Sequence, residues 1–163
     1  MLLTAEQRRT LFRHPAGWIG TGFGVGLSPL APGTAGSLAA LLPWLVLRDL
    51  AWPWYALALL LAFALGVWAC AWIVRNLHSD DPGIAVWDEF VGLWLALTPL
   101  LFMPHSVVWM FAGFTLFRIF DIVKPWPVSW ADQQVKGGFG VMLDDVLAGA
   151  CAALLLSVLL RLA

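Results

Sequence analysis

The sequence predicts an all-α fold, a small multispan bundle of membrane helices with its charged groups gathered at the cytoplasmic face. Three observations lead there. Of 163 residues, 61% are hydrophobic and only 12% charged, and the mean hydropathy is +0.85, a balance unlike that of soluble domains. Residues 54–74, "WYALALLLAFALGVWACAWIV", run 21 positions without a charge, enough for a helix to cross a hydrocarbon core of ~30 Å. The basic residues, finally, fall mainly on one side of the spans that the apolar runs define.

The chain opens with "MLLTAEQRRTLFRHP". It has no apolar stretch or small-residue cleavage site behind Arg8, Arg9 and Arg13, so a cleaved signal peptide is not expected. Apolar runs and their punctuation then predict five helices, over 37–50, 54–76, 86–103, 106–123 and 144–161. The second and fifth are comfortable spans. Pro43 and the early Arg48 and Asp49 make the first short or tilted, and Pro99 interrupts the third. No repeat, low-complexity tract or linker divides residues 1–163, which read as one domain.

With the N-terminus inside, Arg8, Arg9, Arg13, Arg75, Arg118, Lys124 and Lys136 lie at the inner face, against Arg48 and Arg161 outside, as the positive-inside rule requires. Trp18, Trp72, Trp87, Trp126 and Trp130 are placed near the inner interface, and Trp44, Trp52, Trp54 and Trp109 near the outer one. A net charge of −1 offers no basic surface for nucleic acid. Cys70 and Cys151 sit in apolar runs and read as small hydrophobes. His14, His78 and His105 show no metal-ligand spacing and read as polar loop residues.

The carboxylates carry the chemistry. Asp88 and Glu89 open the predicted third helix, Asp121 ends the fourth, and Asp144 and Asp145 open the fifth, so all five meet at one face, where insertion costs little. For the two pairs, favourable placement at helix N-termini is a sufficient structural reading. Asp121 faces the wrong end of a helix dipole and needs a cation, supplied either by Arg118 one turn earlier or by a metal shared with the other acids. Hard oxygen donors without a Cys or His cluster suit Mg²⁺ completed by a substrate phosphate. The glycine-rich stretch over 17–37 lacks both the GxGxxG and P-loop signatures. Its turns nonetheless leave backbone N–H groups for an anion, with Ser28 and Gly33 beside them and Thr34 or Ser37 as helix caps. A simple capped loop would look the same. Arg118 and Lys124 can grip phosphate oxygens or snorkel to the interface, and Pro125 pushes Lys124 out of the helix.

The stretches "GFGVGLSPLAPGTAGSL", "VWDEFVGLW", "FRIFDIVKPWP" and "GGFGVMLDDVLAG", in this order, closely resemble the phosphatidylglycerophosphatase A family over residues 22–149. The resemblance implies an inner-membrane enzyme that uses Mg²⁺ to convert phosphatidylglycerophosphate into phosphatidylglycerol and inorganic phosphate. It implies Glu89, Asp121, Asp144 and Asp145 as metal ligands and maps the family's Pro-Gly-Thr loop onto Pro32, Gly33 and Thr34. Together the two lines give a phosphate cradle of Ser28, Gly33, Thr34, Ser37, Arg118 and Lys124, and Asp88 or Asp144 as general base, with a covalent aspartyl-phosphate as the competing route. Adjacent helical residues point ~100° apart, so Asp144 and Asp145 are not expected to serve equally as ligands. The partner is a phospholipid in the membrane. A small cation transporter or channel is the alternative, and predicts a carboxylate at mid-bilayer with a polar path leading to it. A non-catalytic scaffold leaves the five carboxylates unexplained, and the DG and AR pairs of CDP-alcohol phosphotransferases are absent.

Overall fold

A computed structural model describes residues 3–79, 82–103 and 106–163; His105 and the break expected between the third and fourth helices lie outside them. The described residues form helices and turns without a strand. In order these are α1 (Ala5–Leu11), α2 (Pro15–Gly20), a 3₁₀ turn (Val25–Leu27), α3 (Pro32–Leu47), α4 (Trp52–Leu77), α5 (Trp87–Ala96), a second 3₁₀ turn (Thr98–Phe102), α6 (Val107–Val123), α7 (Val128–Gln134) and α8 (Gly137–Leu162).

Two helices, α4 and α8, are long and apolar enough to cross a membrane, each with 26 residues. Most of their apolar surface faces outward, with Leu60, Leu61, Leu65 and Leu154 exposed. Water would penalise such a surface, and hydrocarbon would not. The two run antiparallel: Gly138 packs against Val67 and Ala71, and Met142 against Gly66. Gly66, the one weak helix former in that apolar run, is there because a Cβ would come 2.5 Å from the Met142 sulfur and 2.7 Å from Trp87 Cδ1.

The core forms where α5 lies in the cleft of α4, α6 and α8. Gly92 and Gly149 let α5 and α8 approach backbone to backbone: a Cβ on Gly92 would stand 2.7 Å from the Asp145 carbonyl oxygen and from Phe117. Small residues at such crossings are the usual device of helices packed in lipid. Two indoles pin α5 to its neighbours, Trp87 Nε1–H donating to Ala62 O at 3.0 Å and Trp94 Nε1–H to Ala40 O at 2.8 Å. Tyr55 donates to Trp94 O at 2.5 Å.

The structure corrects several expectations. The fifth helix begins at Gly137, not 144, because the glycines of "GGFG" lie within the helix and read as loop residues only in isolation. The third ends at Ala96, and a 3₁₀ turn with Pro99 in its first positions follows from Thr98, so α5 covers only about 15 Å at 1.5 Å per residue. The first begins at Pro32 instead of 37, with Ala31 in the left-handed region (φ 44°) as its N-cap and no side-chain cap bond. Thr34 and Ser37 therefore lie inside α3 and cap nothing. Trp44 and Trp87 are buried in the core instead of facing an interface, since each fills a contact between helices. His14 caps α2 through Nδ1 and stacks on Trp72 at 4.5 Å, and His78 ends α4 in the left-handed region (φ 51°).

Candidate active site

Helix α5 begins with Trp87-Asp88-Glu89, so both acids sit in its first turn, where the helix dipole favours negative charge. Here, however, they are buried. Helix α8 brings Asp145 to them: one carboxylate oxygen from each of Asp88, Glu89 and Asp145 lies within 4.8 Å of the others. Asp145 is the ninth residue of α8, about 12 Å along the axis from its start. Asp144 and Asp145 are therefore sunk two turns into the bundle, which overturns their placement at a helix mouth and removes the dipole as a reason for them.

Around this trio stand two acid–base assemblies. Arg118, on α6, pairs with Asp121 three residues on at 2.7 Å and donates to Ser37 Oγ at 3.2 Å. Ser37 in turn donates to Gly33 O at 2.9 Å. Gly33 is wedged between acid and base: a Cβ there would collide with Glu89 Oε1 and stand 3.3 Å from Arg118 Nη2. Only a glycine permits the α3 backbone to close on the site in this way. The second assembly centres on Lys124, which leaves α6 ahead of Pro125 as expected, in the left-handed region (φ 46°) instead of an extended one. Its ammonium donates to Asp132 at 2.5 Å and Asp144 at 2.7 Å. Burial pulls the Lys124 ammonium toward neutrality, but the hydrogen bonds and negative charges of Asp132 and Asp144 outweigh it, holding the pKa above the ordinary lysine value.

The adjacent aspartates thus diverge, Asp145 into the trio and Asp144 toward Lys124. Of the sequence-identified residues, the structure brings together Asp88, Glu89, Gly33, Ser37, Arg118, Asp121, Lys124, Asp144 and Asp145. Thr34 lies one residue beyond Gly33, half-buried. Ser28 is not brought in: its hydroxyl donates to Leu30 O at 2.9 Å, and it lines a separate cavity with Arg8, Pro29 and Pro32. Asp132 was not singled out from sequence, and Lys136 was placed at the inner face but not in the site. Both line a small opening of about 50 Å³, together with Asp88, Val135, Gly140, Val141 and Asp144. The signal for Asp132 was its spacing from Lys124, eight residues across the Pro125–Pro127 turn, too irregular for a helical rule to catch.

A divalent cation fits this donor set on two grounds. Glu89 Oε2 and Asp145 Oδ2 are buried without a hydrogen-bond partner among the described residues, a costly state for carboxylates with nothing to bind. Among the described residues, the six carboxylates of Asp88, Glu89, Asp121, Asp132, Asp144 and Asp145 also share only two engaged cations, Arg118 and Lys124. Asp88, Glu89 and Asp145 are the residues that would hold it.

Comparison with known proteins bears on the same residues. The family model of phosphatidylglycerophosphatase A matches residues 18–160. The chain belongs to the phosphatidylglycerophosphatase A family. The phosphatidylglycerophosphatase A of Escherichia coli K12 is 42% identical over 145 residues, covering 89% of this chain and 83% of the relative. That of Haemophilus influenzae is 39% identical over 142 residues, covering 86% of each. A Bacteroides thetaiotaomicron protein that carries a provisional phosphatidylinositol-3-phosphatase name is 47% identical over 149 residues, 86% of this chain and 90% of the relative. No solved structure matches the fold. The stretch matched by the phosphatidylglycerophosphatase A family includes every residue of the trio and both acid–base assemblies.

Proposed function

We propose that this protein is a Mg²⁺-dependent lipid phosphatase of the bacterial inner membrane. It hydrolyses phosphatidylglycerophosphate to phosphatidylglycerol and inorganic phosphate in phospholipid biosynthesis, at a site facing the cytoplasm. The observation that carries the reading is the buried trio of Asp88, Glu89 and Asp145, with unpartnered oxygens on two of its members and Arg118 within reach of Gly33 beside it. A phosphate monoester complements that arrangement, being an anion that a metal and a guanidinium can share.

The roles follow from where each side chain stands. Asp88, Glu89 and Asp145 would hold Mg²⁺, which would supply charge neutralisation for the phosphoryl group. Arg118 is oriented by Asp121 and Ser37 and keeps a guanidinium edge for phosphate oxygens. The α3 backbone at Gly33 lies against the same point and Thr34 beside it. Asp144 lines the opening with one oxygen bound to Lys124, which suits it to take the proton from the attacking water and return it to the glycerol oxygen as the bond from phosphorus to that oxygen breaks. Lys124 fixes the orientation of that base. The lipid's acyl chains stay among the exposed apolar faces of α4 and α8, consistent with a multi-pass topology and the N-terminus inside.

The transporter alternative gains from the depth of Asp145 but lacks a continuing path. Beyond Asp145, α8 has only Ser157 and Arg161 as polar side chains apart from Cys151, and α4 is free of charge from Trp52 to Val74. The test is inorganic phosphate release by the purified protein in detergent, with phosphatidylglycerophosphate and phosphatidylinositol 3-phosphate as parallel substrates, with and without Mg²⁺. Mg²⁺-dependent turnover of phosphatidylglycerophosphate is the expected result. Folded protein that releases no phosphate with any divalent ion would overturn the activity, and a preference for the inositol lipid would overturn the substrate.

A further inference from the structure

We propose that Lys136 recognises the second phosphate of the substrate, the phosphodiester that stays with the lipid product, and so sets selectivity for a diphosphorylated headgroup. This rests on the phosphatase reading above. The two cations that the sequence points to are already in use at the inner site: Lys124 holds Asp132 and Asp144, and Arg118, held by Asp121 and Ser37, keeps its remaining edge beside Gly33 for the terminal phosphate. Lys136 is exposed, lines the opening that leads to Asp88 and Asp144, and has no ion-pair or hydrogen-bond partner for its ammonium among the described residues.

Position then selects which phosphate it meets. The opening is ringed by Asp88, Asp132 and Asp144, and a second phosphate approaching those carboxylates is repelled unless a cation stands at the rim. Lys136 directly follows α7 and Val135, and the exposed rings of Trp126, Trp130 and Phe139 flank it along the chain. Exposed tryptophans of this kind mark the headgroup level of a bilayer, where the diester of a phospholipid lies. The terminal monoester, carried one glycerol farther from the acyl chains, reaches inward to the trio. Lysine suits the rim because its ammonium is a mobile point charge on a flexible stem, able to follow a diester whose position changes as the headgroup enters.

The experiment measures phosphate release in neutral detergent micelles at fixed salt, so that general attraction to an anionic surface does not contribute. Lys136→Ala is expected to raise KM for phosphatidylglycerophosphate about five- to tenfold while leaving kcat within about twofold, the size of one charged contact at a wet rim. Lys136→Glu raises it further, and Lys136→Arg restores the wild-type KM. Phosphatidic acid, which carries a monoester but no diester, serves as a competitor whose inhibition constant stays within about twofold between wild type and Lys136→Ala. An unchanged KM in Lys136→Ala overturns the proposal. So does an equal weakening of phosphatidic acid, which would make Lys136 a general attractor of anions. Wild-type protein without phosphatidylglycerophosphate turnover would instead remove the underlying activity, a failure the control detects separately.

Discussion

Gly33→Ala separates folding from chemistry in this protein. The added methyl points at Glu89 Oε1 and stands 3.3–3.4 Å from both terminal nitrogens of Arg118. The Arg118 contacts are tight but tolerable; the Glu89 overlap is not, and the carboxylate must give way by a distance on the order of 1 Å, a misplacement that costs about 100-fold in rate. Stability responds differently. Gly33 lies in the first turn of α3 with no positive φ, so alanine gains up to about 0.5–1 kcal/mol of helix propensity. Displacing a side-chain end costs about 1–3 kcal/mol when a core is overfilled. The net change is about 0–2.5 kcal/mol of destabilisation, which lowers Tm by no more than about 10 °C. The assay is Mg²⁺-dependent phosphate release beside a thermal melt followed by tryptophan fluorescence. A folded variant with kcat/KM reduced about 100-fold and a raised Mg²⁺ requirement is expected. Activity within about threefold of wild type would refute the claim that Glu89 is held against this backbone for function.

Other perturbations read other parts of the site. Lys124→Gln frees Asp144 and Asp132 together, and should lower kcat at least tenfold with little change in KM, the opposite pattern to Lys136→Ala; steady-state kinetics distinguishes them. Asp132→Asn removes one of two partners of Lys124 and should cost less than Lys124→Gln in the same assay. Saturating Mg²⁺ should stabilise the wild type by ~2.7 kcal/mol at 100 times its dissociation constant, and this shift in Tm should disappear in Glu89→Gln. Gly92→Ala drives a methyl into the Asp145 carbonyl and the Phe117 ring, 2.7 Å away. Because backbone cannot swing aside, a loss of about 1–3 kcal/mol is expected, seen as a lower melting temperature.

The fold was legible where hydrophobicity alone decides it. The 21-residue apolar run predicted α4 closely, and Pro99 and Pro125 correctly marked breaks in the chain. The errors occurred where glycine has two opposite uses. In "GGFGVML" glycines look like loop, yet here Gly138 and Gly140 sit against the α4 backbone and the Val135 carbonyl, where no Cβ fits. They were placed in the helix by packing, which a local propensity cannot see. Trp87 misled for a similar reason: an indole is at home at a membrane interface or in a core with its N–H satisfied, and only the Ala62 carbonyl that accepts from it decides between them.

The adjacent aspartates show how much of the site a sequence can carry. Their ~100° divergence on a helix already made them unequal as ligands, and the structure sets one in the trio and the other on Lys124. Depth was not legible, because it depends on where α8 starts, seven residues earlier than the charges suggest. That depth changes the energetics. At a wet helix end, Asp145 would need nothing; two turns into an apolar helix, with Asp88 and Glu89 beside it, an uncompensated carboxylate costs several kcal/mol, more than the fold could retain at three such positions for structural reasons alone. The same burial makes a bound cation effective, since charges in a water-poor site interact more strongly than at a surface. On the function proposed above, the phosphate that reaches so far into the bundle has to be carried on a slender headgroup, which a terminal monoester provides and a diester flanked by acyl chains does not.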